Sequence, residues 1–591
     1  MSQLSGWLKD SFFLGWLFRI RLGSGLLENS IIIRGLQQLG LMVLEILRGS
    51  FFLGWLVPGL YRSLSADGLV VSGGKLLWSK LLRFLWWLGD GIKPVISGSV
   101  FLSRPLAGLG LITSLILAAD LTTGTDSGVS VVLKLLIMGM GLILAVANPT
   151  REWWNNSWAG KVCTWWNGYG TPDKQQGFGM EYSLVLVVAY VLIDWILRSY
   201  SPYPFLTGIW DELLFLAIAA ILLIRTGFQK LSPQGTRFLI PFILYLCVFL
   251  FLFFLESAES AAALEGLRVY LQYVLWFFLA ANLLFSKSQF KWLCDLFLLV
   301  VFVVALYGIY QYYVGVAIPA SWTDSKVETS ITTRVFSIIG SPNVLGGLLV
   351  LSIPISLGSL LSTRNYWQKL IYAGVFLVML ACLLFTYSRG AWLALGFAVV
   401  LMGMWMDRRI IWALILVALL TPVLMPTVAD RLAYMTTPEY MASSERGGRI
   451  GRWTQTIAHW ETAPAAGLGL GRFGGAVAAR FYPEDSFYAD NFYLKTGAEA
   501  GWIGLGAFLL LVICGLRLAR GSLDETNDPR AVTLGLGVLA GLAGILAHNG
   551  VENIFEVPMM ATYFWFFLGL LVALPGAITG AAGSGEQYEK D

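Results

Sequence analysis

From about position 103 to 575 the chain is a succession of apolar runs, separated by polar stretches that are mostly short. Arg237–Glu256 (RFLIPFILYLCVFLFLFFLE) is typical, with no charge between its ends. A helix needs about 20 such residues to cross the hydrocarbon core of a bilayer. The runs show no period-two alternation, which argues against a membrane β-barrel. The expected fold is an all-α integral membrane protein with about 14 transmembrane helices. They are expected near 103–121, 129–147, 181–198, 203–224, 237–256, 268–285, 292–316, 343–361, 370–388, 390–406, 410–428, 501–519, 531–548 and 557–575.

Positions 1–102 follow another pattern. The string SFFLGWL occurs at 11–17 and again at 50–56, with a looser echo, LRFLWWL, at 82–88. Arg34, Arg48, Arg62, Lys75, Lys80 and Arg83 are interleaved. Each apolar piece is too short to span. The mixture suits amphipathic helices lying in the headgroup layer of the cytoplasmic face; the alternative is a poorly ordered extension. Ser11–Ile20 is short, already contains Arg19 and is followed by Arg21, which does not fit a cleavable signal peptide.

Composition agrees: 57% of the 591 residues are hydrophobic and 13% charged, where a soluble domain carries about 25% charged. The net charge of +4 is small, and the basic residues recur in alternate short loops. These are Arg225, Lys230 and Arg237; Lys287 and Lys291; Arg364 and Lys369; Arg408 and Arg409; and Arg517, Arg520 and Arg530. Such a pattern orients spans rather than binding nucleic acid, and it places both termini in the cytoplasm. Five cysteines without paired spacing and two histidines support neither a disulfide framework nor a metal site. No cofactor is expected. The resulting divisions are an interfacial region at 1–102, N-terminal spans at 103–235, a transmembrane core at 236–428, a large extracytoplasmic loop at 429–500, C-terminal spans at 501–575 and a cytoplasmic tail at 576–591.

The 429–500 loop is too long for a connector, and long loops tend to be functional. Within it, Ser443–Trp460 is expected to form an amphipathic helix with Trp453, Ile457 and Trp460 on one face. Arginines concentrate on the outer side against the orientation rule: Arg334, Arg389, Arg431, Arg446, Arg449, Arg452, Arg472 and Arg480. Guanidinium groups match phosphate oxygens bidentately, so an outward site for a lipid-linked phosphate or diphosphate is one reading. Pairing with Glu439, Glu445, Glu484 and Asp485 is the other. Arg389 favours the first, because it lies in a turn between spans, where charge is costly.

Gly469–Gly474 (GLGRFG) fits G-x-G-x-x-G, but no strand precedes it, so it is no dinucleotide fingerprint. It is expected to be a close-packed loop, or an anion-binding concavity beside Arg472. Asp490 and Glu499 flank the start of the next span. Either can serve as a general base or simply favour a helix start. His548, Asn549 and Glu552 suit a polar network between helices. Asp194, Asp211, Glu212 and Lys134 mark either an ion path or structural pairs.

Four segments in order resemble the O-antigen ligase and O-antigen polymerase superfamily. They are YGIYQYYV at 307–314, RVFSIIGSPNVLG at 334–346, TYSRGAWLAL at 386–395, and the series RIGRW, GLGLGRFGG and DNFYLKTGAEAGWIGL between Arg449 and Leu505. The resemblance covers roughly Arg268–Ala573, about half the chain. It implies a GT-C-like membrane glycosyltransferase in the bacterial plasma membrane. Such an enzyme moves a glycan from an undecaprenyl-diphosphate carrier to a glycan or lipid acceptor. Arg389 and Arg449 would grip the diphosphate, with Arg334 and Arg472 as further candidates and Asp490 or Glu499 as base. The family's ligases carry a histidine before the Asn-x-Tyr-Leu stretch, where this chain has Asp490. That departure points away from a typical core ligase and toward a polymerase-like member. A transporter of a small anion such as bicarbonate and an envelope scaffold are the rival readings.

Overall fold

The structure, a computed structural model, describes residues 183–200, 204–229, 235–255, 260–284, 286–317, 319, 333–424, 433–434, 437–446, 448–484 and 487–579. The expected surface helices of 1–102, the spans at 103–121 and 129–147, and most of the C-terminal tail lie outside these. All regular elements among the described residues are helices. In chain order they are α1 (Ser183–Val188), α2 (Tyr190–Tyr200), α3 (Pro204–Gln229), α4 (Thr236–Leu255), α5 (Ser260–Leu271), α6 (Leu275–Leu283) and α7 (Lys287–Val314). Next come α8 (Pro342–Ser362), α9 (Tyr366–Phe385), α10 (Arg389–Trp405) and α11 (Arg409–Leu424). The loop region holds α12 (Pro438–Glu445), α13 (Arg449–Thr462) and α14 (Ala476–Phe481). The chain then runs through α15 (Phe492–Asp524), α16 (Pro529–His548) and α17 (Pro558–Thr579).

Seven of these helices are long and apolar enough to cross a membrane, and α10 and part of α11 are shorter apolar helices. Large side chains such as Phe254, Trp412 and Leu419 point outward from the bundle and are more than two-thirds exposed. Lipid satisfies such a surface, whereas water would not.

Each expected span within the described residues is helical, with three differences. The segment 181–198 is broken at Ala189 into α1 and α2, and 268–285 is divided between α5 and α6. The span expected at 501–519 belongs to α15, which starts at Phe492, inside the expected loop. There Asn491 caps the helix, its side chain accepting from the N–H groups of Tyr493 and Leu494 at 3.0 and 3.1 Å. The helix continues to Gly501, where φ is +63° and the axis kinks.

The core lies where α16 packs on α8. Gly537 and Gly541, four apart, face the backbone carbonyls of Pro354 and Leu351, leaving no room for a Cβ. Without a hydrophobic drive between helices in lipid, close backbone approach at such small residues supplies the packing. This pair carries at one end Asn343, in the first turn of α8, and the turn 549–557 after α16.

Candidate active site

Four chain segments meet at that end. Tyr387, at φ +52°, turns the chain sharply between α9 and α10, so that Ser388 and then Arg389 stand at the head of α10. Gly448 ends the break after α12, and Arg449 opens α13. Asn343 lies behind Ser341, which caps α8. Glu552 lies in the turn between α16 and α17.

Their side chains form one network. The carbonyl oxygen of Asn343 accepts from Ser388 Oγ at 3.0 Å and from Arg334 Nη2 at 3.3 Å. Two donors on that oxygen fix the amide orientation, and the Asn343 Nδ2 donates to Glu552 Oε2 at 2.5 Å. Arg449 Nη2 reaches the same oxygen at 3.4 Å, while its buried Nε has no protein partner. Arg334 is buried and also donates through Nε to Thr386 O at 3.1 Å. Arg389 lies 4.9 Å from the Tyr440 ring centroid and 6.0 Å from that of Tyr434, a cation–π contact joining α10 to the α12 region.

Asp490 adjoins this network through its neighbour, for Asn491 N donates to Asn553 Oδ1 at 3.1 Å. Its φ of +47° is left-handed, a conformation Asp and Asn tolerate better than most residues. Its carboxylate accepts from Arg452 at 2.6 Å, and its carbonyl accepts from Trp453 Nε1 at 3.3 Å. The expected amphipathic helix is therefore shorter than Ser443–Trp460. Its inward face is Trp453, Thr456 and Trp460, while Ile457 turns outward.

Glu499 occupies a second, fully enclosed cluster. It accepts from Lys495 Nζ at 2.6 Å, from Tyr270 OH at 2.7 Å and from Phe473 N at 3.2 Å. Lys495 also pairs with Glu556 at 3.1 Å. Burial pushes the Glu556 carboxyl up, and the Lys495 ammonium pulls against it.

The glycine motif is tied to the same helix by an exchange of backbone bonds. The kink at Gly501 turns Trp502 N and Ile503 N away from the helix ladder. They donate instead to Pro464 O at 2.9 Å and Ala465 O at 3.2 Å. The carbonyls left over, of Ala498 and Glu499, accept from Leu468 N at 2.8 Å and Gly469 N at 3.1 Å. These N–H groups are thus spent on protein acceptors rather than left for an anion. Arg472 is exposed on the motif, 5.8 Å from the Tyr482 ring centroid, with no hydrogen bond to the network around Glu552.

Of the expected site residues, the structure brings Arg334 and Arg449 into one network, puts Arg389 beside it and Asp490 against it. Glu499 and Arg472 belong elsewhere. Asp194, Asp211 and Glu212 form pairs: Asp194 with Arg198, and the other two with Arg268. Sequence reasoning missed Ser388 and Asn343 as bonding partners; it counted Glu552 among the outward carboxylates and favoured a helix-joining network for it, not a place beside Arg449. It missed Lys495 altogether. The available signal was Asn343 within the Pro-Asn segment. Among the described residues no three His, Cys, Asp or Glu side chains converge as metal ligands.

Apolar helices of spanning length, with arginines, amides and a buried carboxylate gathered at one end, define a multi-span membrane protein with a polar site suited to an anionic substrate. Residues 374–509 match the family model described as O-antigen ligase. That segment, which holds Arg389, Arg449, the glycine motif and Asp490, supports the likeness to the O-antigen ligase superfamily. No curated protein matches the chain.

Proposed function

We propose that the protein is a membrane glycosyltransferase that transfers or polymerises a glycan from an undecaprenyl-diphosphate carrier. The reaction would take place on the outer face of the bacterial plasma membrane, and the acceptor would be a second glycan or a lipid. The observation that supports this most is the placement of Arg389 and Arg449 within the O-antigen ligase segment. They open two different helices and are joined through Ser388, Asn343 and Glu552. Two guanidinium groups on separate rigid elements suit the two phosphates of a diphosphate leaving group, whose developing charge they would stabilise in place of a metal ion. The unpartnered Nε of Arg449 offers a donor for one of those oxygens. Asp490, beside the network, remains a candidate for contact with the acceptor.

The test is deletion of the gene and size analysis of the surface polysaccharide. Loss of long chains with accumulation of single lipid-linked units indicates a polymerase. Intact chains missing from their final anchor indicate a ligase. An unchanged envelope glycan excludes both.

A further inference from the structure

The network around Arg449 contains a carboxylate that gripping a diphosphate does not require. Glu552 Oε2 is engaged by Asn343 and Arg449, whereas Oε1 has only a long bond, 3.4 Å, from the N–H of Asn553. The side chain is 15% exposed, with one oxygen fixed by two partners and the other held only by that long bond. Asp490 is already bonded to Arg452, and Glu499 is enclosed by Lys495 and Tyr270.

We propose that Glu552 takes the proton from the acceptor hydroxyl in this site. The inference rests on the glycan-transfer reading and names the group that activates the acceptor. The acceptor O–H would donate to Glu552 Oε1. Its oxygen attacks the sugar carbon that bears the diphosphate, and the proton passes to the carboxylate. The bond from that carbon to the diphosphate oxygen breaks, and the diphosphate leaves with the electron pair, held by Arg389 and Arg449. Glu552 then returns the proton to solvent.

Two features fit the role. Asn343 is itself held by Arg334 and Ser388, so the carboxylate is positioned by a chain of bonds that starts from buried groups. The charges facing Glu552 are Arg449 from α13 and Asp490 at the head of α15. A diphosphate on Arg449 would offset the positive one, leaving the carboxylate more basic when the donor is bound.

The test uses the full chain. Membrane vesicles loaded with the cell's own lipid-linked glycan report turnover. Purified protein in nanodiscs reports binding of farnesyl diphosphate, a sugar-free lipid diphosphate. Glu552→Gln is expected to bind the probe as well as the parent while losing at least about a hundredfold in turnover. Glu552→Asp is expected to keep some turnover, with the acid limb of its pH profile moved to lower pH. Parent-like turnover in Glu552→Gln overturns the inference. If Glu552→Gln does not accumulate, an unshifted acid limb in Glu552→Asp overturns it too. In either case the glycan-transfer reading survives as long as Arg389→Ala and Arg449→Ala lose both binding and product. Those two variants behaving like the parent would remove the reading itself and the inference with it.

Discussion

Arg452 and Asp490 face each other across the join between α13 and α15, with Nη1 2.6 Å from Oδ2. The resemblance puts Asp490 at the position expected to hold a base, and its carboxylate is already bonded to the arginine. Asp490→Asn keeps an acceptor for Arg452 and tolerates the left-handed backbone, so turnover is expected to fall less than tenfold. The pair is partly exposed, so a double-mutant cycle with Arg452→Gln should give a coupling of about 0.2–1 kcal/mol. Turnover loss in Asp490→Asn as deep as that of Glu552→Gln would return the base role to Asp490.

Arg389→Ala and Arg449→Ala each remove a charged donor proposed to hold phosphate. Losing one such bond costs about 1.5–3 kcal/mol, roughly ten- to a hundredfold in rate if felt in the transition state. Lysine should restore only part of the activity, because it lacks the planar fork. Polymer or ligated product assayed at equal protein level in membranes decides this. Parent-like product from both alanine variants contradicts the diphosphate site.

Lys495 is buried between Glu499 and Glu556. Lys495→Met would leave two enclosed carboxyl groups without their counter-charge, and breaking a buried pair costs about 3–5 kcal/mol. The variant is expected to melt well below the parent in detergent. Glu499→Gln is expected to lower the melting temperature too, with turnover per folded molecule nearly unchanged. A stable but inactive Glu499→Gln would make Glu499 the base after all.

Helix positions were legible in the sequence because an apolar run of spanning length admits few other structures. The errors fell where a backbone detail overrode the run. The apolar count cannot see that Asn491 caps α15 ten residues before Gly501 kinks it. It cannot see that the turn at 272–274 divides α5 from α6 either. The site was half legible for a similar reason. Arg389 and Arg449 were conspicuous as charges out of place. Glu552 is distant in sequence from both, and only the packing of α16 against α8 brings it to Asn343. Glu499 looked like an acid at a span start, and nothing local revealed that Lys495, one turn earlier, encloses it.

The orientation proposed from the alternating basic loops can be tested with single cysteines in a background lacking the native ones. Gln455, exposed on α13, and Arg364, exposed between α8 and α9, should lie on opposite sides of the membrane. Cysteine at 455 is expected to react with an impermeant maleimide in intact cells, and cysteine at 364 only after permeabilisation. Equal labelling at both would move the site away from the outer face.

The pH dependence of Glu552 has opposite signs for stability and activity. Burial, and next the negative charge of Asp490, raise its carboxyl above the usual glutamate range; Arg449, the Asn553 N–H and the Asn343 amide pull the other way but do not prevail. An unfolded glutamate titrates near about 4.3. Below that value the group is protonated in both states, and its contribution to stability is fully present. As pH rises through the higher folded value, the fold must hold a charge that its surroundings oppose, and that contribution is lost. Glu552→Gln, neutral throughout, is therefore expected to melt at or above the parent near neutral pH, with the difference closing toward about pH 4. Activity needs the ionised form, so the parent's turnover should fall on the acid side, beginning above the pH at which an ordinary glutamate protonates. Melting curves and turnover measured between about pH 4 and 8 check both halves. A Glu552→Gln protein less stable than the parent across that range would mean that the Arg449 pairing outweighs burial, contradicting the raised carboxyl.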